Sequence, residues 1–269
     1  MTNRAEASCR TSGDVPYRTL DSHCHLDLLD TPVPEVLAEA RSAGISRVVT
    51  VGYNLASSQW AVRCAAEHGD VYAAVAIHPN ETGDVAGDAL AEIAALATLP
   101  QVRAIGETGL DYYRDCSDRD VQQDWFRAHI GLAKQVDKAL VIHDRDAHAD
   151  VLRILAEEGP PRQVVFHCFS GDQQMVKVCA DAGYFMSFAG NVTFASARPL
   201  RAAARTVPPG LLLVETDAPY LTPVPYRGRP NAPGMIPYTV RCLAEVRGVD
   251  PAELGAEIML TGERVFGPW

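Results

Sequence analysis

A closed (β/α)8 barrel forming one domain over residues 17–269 is the fold class that the sequence predicts, on three observations. Strand-like and helix-like segments alternate eight times without interruption. Several of the strand segments are near-continuous apolar runs, the pattern of parallel strands buried on both faces. The length of 269 residues matches the usual size of such a barrel. A doubly wound open sheet is the competing architecture. It would place a glycine-rich phosphate loop after the first strand, whereas here that strand runs into SHCHLD, with no glycine.

The elements follow in order. Strand 17–23 (YRTLDSH) leads to the helical spacing of 33–43 (VPEVLAEARSA), and strand 45–51 (ISRVVTV) to the helix at 57–68. Strand 71–77 (VYAAVAI) precedes a helix at 87–98, and strand 102–107 (VRAIGE) a long one at 120–137. Strands 139–143 (ALVIH), 163–167 (QVVFH) and 183–188 (GYFMSF) precede helical segments 146–158, 172–181 and 197–206. The last strand, 211–217 (LLLVETD), opens into a Pro/Gly-rich loop at 218–234, then helices near 235–247 and 251–261. No internal repeat, low-complexity segment or interdomain linker interrupts this order. The polar residues 1–16 (MTNRAEASCRTSGDVP) lack an apolar core segment and read as a loose, flexible tail, not a signal peptide.

Composition narrows the class. Apolar residues make up 47% and charged residues 22%, an ordinary soluble balance. No apolar run approaches the roughly 20 residues that span a bilayer, so no membrane association is expected. The seven cysteines are scattered, with no CxxC pair, which disfavours a disulfide framework or a zinc–thiolate site and suits reduced thiols in a cytoplasm. The net charge of −10 argues against coating a nucleic-acid backbone, although it permits a local grip on one phosphate. Only three of the 24 cations are lysines. That bias suits forked arginine contacts to oxyanions, but genome composition explains it better.

In such barrels the active site lies at the C-terminal strand ends. Six residues able to bind metal fall there: His23, His25, Glu107, His143, His167 and Asp217. His23 and His25 are two apart on a strand, so both face the barrel interior while Cys24 faces the helix layer. Glu215 shares a face with Asp217 and is expected to support it from behind. Two carboxylates 4 Å apart repel by about 4 kcal/mol at an effective dielectric near 20. Divalent cations compensate this better than protonated imidazoles do.

The ligand count suggests two metals, with His23, His25 and Asp217 at the first, His143 and His167 at the second, and Glu107 bridging. Imidazole with carboxylate suits zinc, manganese, nickel or iron over calcium; magnesium also stays open. Lys134, Lys138 and Lys177 all fall in helical segments on this reading, so a carbamylated-lysine bridge is not available. Metals of this kind lower the pKa of water. Asp217 is expected to take or orient its proton, making Asp217 and Glu107 the catalytic carboxylates. Substrate contacts are expected from His78, Arg145, Arg227, Arg229 and Tyr112, with Arg114 and Tyr113 nearby. His68, His129 and His148 read as surface helix residues.

The run SHCHLD, GETGLDYY, HDRDAH, HCFSG, ETDAPYLTP and RGRPN, from about residue 19 to the C-terminus, closely resembles the TatD family of metal-dependent hydrolases. The resemblance implies an amidohydrolase-like barrel, a two-metal site made of the six residues above, and deoxyribonuclease activity. One departure is His78-Pro79-Asn80 where many members have HPH; it leaves substrate contact in that loop open. The expectation is a cytoplasmic, monomeric deoxyribonuclease that trims DNA strand ends from the 3′ side, with no obligate protein partner. The rivals are a two-metal hydrolase of small esters, lactones, amides or phosphoesters, and a binding protein whose barrel is vestigial.

Overall fold

The computed structural model describes residues 18–85, 87–114 and 116–268. The tail expected over 1–16 lies outside them. Eight parallel strands lie in sequence order: β1 (Thr19–Cys24), β2 (Ile45–Val51), β3 (Val71–Val75), β4 (Val102–Asp111), β5 (Ala139–Arg145), β6 (Val164–Phe166), β7 (Phe185–Phe188) and β8 (Leu212–Val214). The helices α1 (Val33–Ser42), α2 (Leu55–Glu67), α3 (Ala89–Ala97), α4 (Arg119–Val136), α5 (His148–Glu158), α6 (Gln173–Asp181), α7 (Arg198–Thr206) and α8 (Ile236–Arg247) each follow one strand, and α9 (Pro251–Phe266) ends the chain. This is the expected (β/α)8 barrel.

The barrel closes at the β1–β8 seam through loop backbone and one side chain. Asp217 N–H donates to His23 C=O at 2.9 Å and His25 N–H to Ala218 C=O at 2.8 Å. Below them, the Asp21 carboxylate accepts from the Thr216 N–H at 2.9 Å and the Thr216 hydroxyl at 2.5 Å. The carboxylate thus stands where β8 is too short to supply ladder bonds.

Two apolar layers hold the fold. Alternate strand residues such as Val49, Val51, Val141, Val165 and Leu213 fill the barrel interior, and Val265 and Phe266 at the end of α9 join that cluster. The opposite strand faces pack under the helices, with Phe126, Ile130, Ile154 and Leu243 fully buried. Burying a side chain of this size contributes about 1.5–3 kcal/mol.

Four details differ from the sequence reading. β4 runs on to Asp111, so Glu107 lies within a strand and not at its end. Ile105 pairs with Leu140 and Thr108 with Ile142, which leaves Gly106 and Glu107 opposite Val141 alone. That two-against-one bulge re-aims a side chain, here Glu107. Gly106 permits it, because a Cβ there would lie 2.6 Å from Val141 Cβ. Second, β8 stops at Val214, so Glu215 and Asp217 belong to the loop. Third, Lys138 falls in the turn between α4 and β5, not in a helix, because α4 ends at Val136 with a left-handed Asp137. Fourth, His129 is fully buried. It shares the inward stripe of α4 with Phe126, Ile130 and Ala133.

Candidate metal centre

Glu107 is the hub of the C-terminal mouth. Its Oε2 lies 2.9 Å from His167 Nε2, 3.5 Å from His143 Nδ1 and 3.7 Å from His23 Nε2. Its Oε1 lies 3.5 Å from His25 Nε2 and 4.0 Å from His78 Nε2. Asp217 Oδ1 is 3.7 Å from His25 Nε2 and 3.8 Å from His23 Nε2. All six residues expected as ligands therefore meet at one point, from β1 and the turn after it, β4, β5 and the loops after β6 and β8. Donor atoms gather in three overlapping groups: His23–His25–Glu107, His23–His167–Asp217 and His78–Glu107–His143. His167 reaches the Asp217 side as well as His143, and its ring stacks on His23 at 4.0 Å, so the two expected ligand sets interleave.

The outer nitrogens explain how these rings are aimed. The outer nitrogen of His25, Nδ1, faces the Val51 carbonyl at 3.0 Å. That of His167, Nδ1, faces Glu215 Oε1 at 3.3 Å, and that of His143, Nε2, faces Asp111 Oδ2 at 3.1 Å. Each partner accepts only, so the outer nitrogen carries a proton, and the inner one is the nitrogen that a metal would take by displacing any proton shared with Glu107. Metal-binding histidines are oriented in this way. His23 is wholly buried and neither of its nitrogens has a hydrogen-bond partner among the described residues. An unpartnered buried imidazole costs free energy, and a cation at its inner nitrogen relieves that cost. The donor set fits a divalent metal.

Electrostatics point the same way. Burial pushes the Glu107 carboxyl up, but the facing His78 and His167 imidazoles and hydrogen bonds from His143 and His167 outweigh it and hold it well below the usual range. Burial lowers His167, yet Glu107 and Glu215 raise it well above 6.5. Burial and the His167 charge press His23 down. Burial raises Asp217 to about 6 and Asp21 to about 7. The mouth thus holds protons on nitrogens where a metal would compete for the lone pairs.

The expected substrate residues divide. His78 Nδ1 accepts from the Asn80 N–H at 3.0 Å, so its neutral ring carries the proton on Nε2, aimed at Glu107. Arg145 ends β5 with its guanidinium 4.0 Å over the Tyr113 ring. Arg227 and Arg229 are exposed on the loop after β8, over Phe194 and Tyr226. Tyr112 is engaged elsewhere: its hydroxyl donates to Asp150 at 2.8 Å and accepts from Gln123 at 2.8 Å, and Arg119 covers its ring. These contacts tie Tyr112 to the helix layer and cover one face of its ring.

Glu215 sits behind His167 and not behind Asp217, where the period-two spacing put it, because β8 ends at Val214 and the two acids do not share a strand face; it also accepts from the Cys168 N–H at 2.7 Å. Two buried acids escaped sequence reasoning. Asp111 accepts from Tyr113 N–H, Arg114 N–H and Asn80 Nδ2 while it orients His143. Asp21 anchors the seam below His23. Asp111 could have been found four residues after Glu107, inside the same motif. Asp21 shares a face with His23 by the same two-residue rule.

A family model described as TatD related DNase matches residues 20–267. The chain belongs to the TatD family. It is therefore an enzyme of the metal-dependent hydrolase type. A Mycobacterium tuberculosis hydrolase named TatD, itself described as uncharacterized, is 44% identical over 258 residues, covering 92% of this chain and 97% of that one. A Citrobacter rodentium family member named 3′-5′ ssDNA/RNA exonuclease TatD is 34% identical over 241 residues, covering 87% and 91%. Among solved structures, the TatD homologue YjjV of Escherichia coli superposes with a TM-score of 0.89 at 26% identity, covering 94% of this chain and 99% of that one.

Proposed function

We propose that this TatD protein is a two-metal phosphodiesterase that removes nucleotides from the 3′ ends of DNA strands. The observation that carries the metal chemistry is the set of imidazoles held by outer acceptors around Glu107. The name of the Citrobacter relative supports the choice of nucleic acid. The acidic chain, at −10, suits a mouth that takes a strand end better than a groove that coats duplex. Free, largely buried thiols at Cys24, Cys64 and Cys179 suit a reducing cytoplasm, and we take the active form to be a monomer.

On this reading His23, His25 and Asp217 would hold one cation and His143 and His167 a second, with Glu107 serving both. Zinc, manganese, magnesium, nickel or iron there would supply Lewis acidity and lower the pKa of a water to about 7. Asp217, beside the first cation, would accept or orient the proton of such a water. Its backbone N–H on the His23 carbonyl fixes its position across the seam. His78 offers its Nε2 proton to a substrate oxygen. Arg145 offers a forked contact to a phosphate, and Arg227 and Arg229 meet phosphates farther from the cut.

The test is degradation of single-stranded DNA, labelled at either end, with manganese, magnesium or zinc, beside small esters, lactones and phosphodiesters. The expected result is stepwise loss from the 3′ end, abolished in His143→Ala. Turnover of carbonyl esters or lactones alone would replace this reading with the rival hydrolase.

A further inference from the structure

Opposite the metal centre, the N-terminal mouth of the barrel opens into a cavity of about 590 Å³. Four cations line it: Arg103, Lys138, Arg162 and Arg264. They sit at the starts of β4, β5 and β6 and at the end of α9. In a chain with net charge −10 such a gathering needs a reason.

None of the four is neutralised by a carboxylate among the described contacts. Arg103 donates to the Tyr72 hydroxyl at 2.9 Å, and its buried Nε has no partner. Lys138 donates to the Ala97 and Leu99 carbonyls, and Arg264 to the Gly210 carbonyl. These acceptors are uncharged oxygens, so they orient the cations and leave their charge in place. Arg162 is exposed and makes no described hydrogen bond or ion pair. Burial and then the Arg103 charge lower Lys138 to about 8, so the cations raise one another's cost. Asp137 and Glu263 also line the cavity, and neither forms a described ion pair. Among the described lining residues, four positive charges against two negative leave two over, the charge that a phosphomonoester dianion would match.

We propose that this mouth binds a small phosphorylated organic molecule, with its phosphate among the four cations. Arginine forks suit phosphate oxygens. The cavity is larger than a bare phosphate needs and falls in the usual range for small-molecule sites. Phe185, Val265 and Phe266 supply apolar wall for the uncharged part of the ligand.

The experiment is modification of the metal-loaded protein by phenylglyoxal, with peptides mapped by mass spectrometry. The probes are deoxyadenosine 5′-monophosphate, inorganic phosphate and deoxyadenosine. The nucleotide should protect Arg162 and Arg264 at about tenfold lower concentration than phosphate does, the equivalent of about 1.4 kcal/mol, and deoxyadenosine should not protect. Arg145 reports binding at the metal mouth separately, and exposed Arg63 on α2 reports general screening. Absence of protection, or equal protection of Arg63, overturns the site. Protection by inorganic phosphate at the same concentration as nucleotide overturns the organic ligand. Equilibrium dialysis gives a second reading: Arg162→Ala should weaken one class of nucleotide site about tenfold or more, as loss of a charged hydrogen bond does, and Arg162→Lys should recover part of it. Unchanged dialysis in Arg162→Ala also sinks the proposal.

Discussion

The two ends of this barrel carry opposite polarities. At the C-terminal mouth, four imidazoles and Asp217 gather around Glu107, and buried His23 has no partner for either nitrogen among the described residues. At the N-terminal mouth, cations are spaced around an open cavity and propped on neutral oxygens. One end concentrates acceptors at a point, which asks for cations. The other disperses donors over a surface, beside the Val265 and Phe266 plug of the interior. Barrels of this class place catalysis at the first end and stability at the second. Crossed substitutions test that division and carry the largest expected effect. Glu107→Ala should lower kcat/KM by about a thousandfold or more, since metal-borne charge stabilisation is worth several kcal/mol. Phe266→Ala should cost about 3–5 kcal/mol of stability and leave kcat of the folded enzyme near wild type. Denaturant melts and initial rates on both variants check this. Loss of kcat in folded Phe266→Ala would break the comparison.

The comparison also shows what a sequence can and cannot display. Strand order and the six inward residues were legible, because apolar runs and strand-end polar residues are local signals. The bulge at Gly106–Glu107 was not, since it depends on pairing with Val141 across the strand. Asp21 and Asp111 were missed because their roles are set by Thr216 and His143, 195 and 32 residues away. His129 was misread for a related reason. A lone histidine on a helix looks like surface until its stripe is aligned with its buried neighbours.

His129 also sharpens the contrast with the metal mouth, since it is a buried imidazole whose nitrogens are both satisfied. Its Nε2 accepts from the Ile77 N–H at 3.2 Å, and its Nδ1 faces the Trp125 carbonyl at 2.8 Å. Burial holds its pKa at about 4, below the ordinary 6.5. Between those values the unfolded chain binds a proton that the folded one does not. The stability from neutral His129 is therefore complete above pH 6.5 and is lost as pH falls toward 4, by up to about 3 kcal/mol. In metal-free protein, raised His167 contributes with the opposite sign: its stability is present below 6.5 and lost as pH rises through its higher folded value. Urea melts from pH 7 to pH 4 should show His129→Gln losing less stability than wild type. Identical slopes would contradict the neutral assignment.

A smaller effect is expected behind the metal. Glu215 orients His167 through Nδ1, and Gln in its place keeps the shape but weakens the grip. Changes to such outer partners cost about 10–100-fold in metal affinity or activity. Glu215→Gln should therefore need more metal for half-maximal rate, and excess metal should restore most of kcat. A full loss that metal cannot rescue would move Glu215 into direct contact with the reacting groups.

The smallest effect separates two adjacent tyrosines on the rim. Tyr112 ties its hydroxyl to Asp150 and Gln123 in the helix layer, whereas Tyr113 is 63% exposed beneath Arg145. Removing a hydroxyl in a hydrogen-bonded pair costs about 1 kcal/mol of stability. Tyr112→Phe should show that loss in melts and leave KM for single-stranded DNA unchanged. Tyr113→Ala should do the reverse: little change in stability, and a KM increase of about fivefold or more, because base stacking on an aromatic ring is worth about 1–3 kcal/mol. The exposed ring and its arginine form one platform at the mouth, so Arg145→Ala should give a KM increase of similar direction without a change in metal requirement. If Tyr112→Phe moves KM and Tyr113→Ala does not, the substrate path runs on the α4–α5 side of the rim instead.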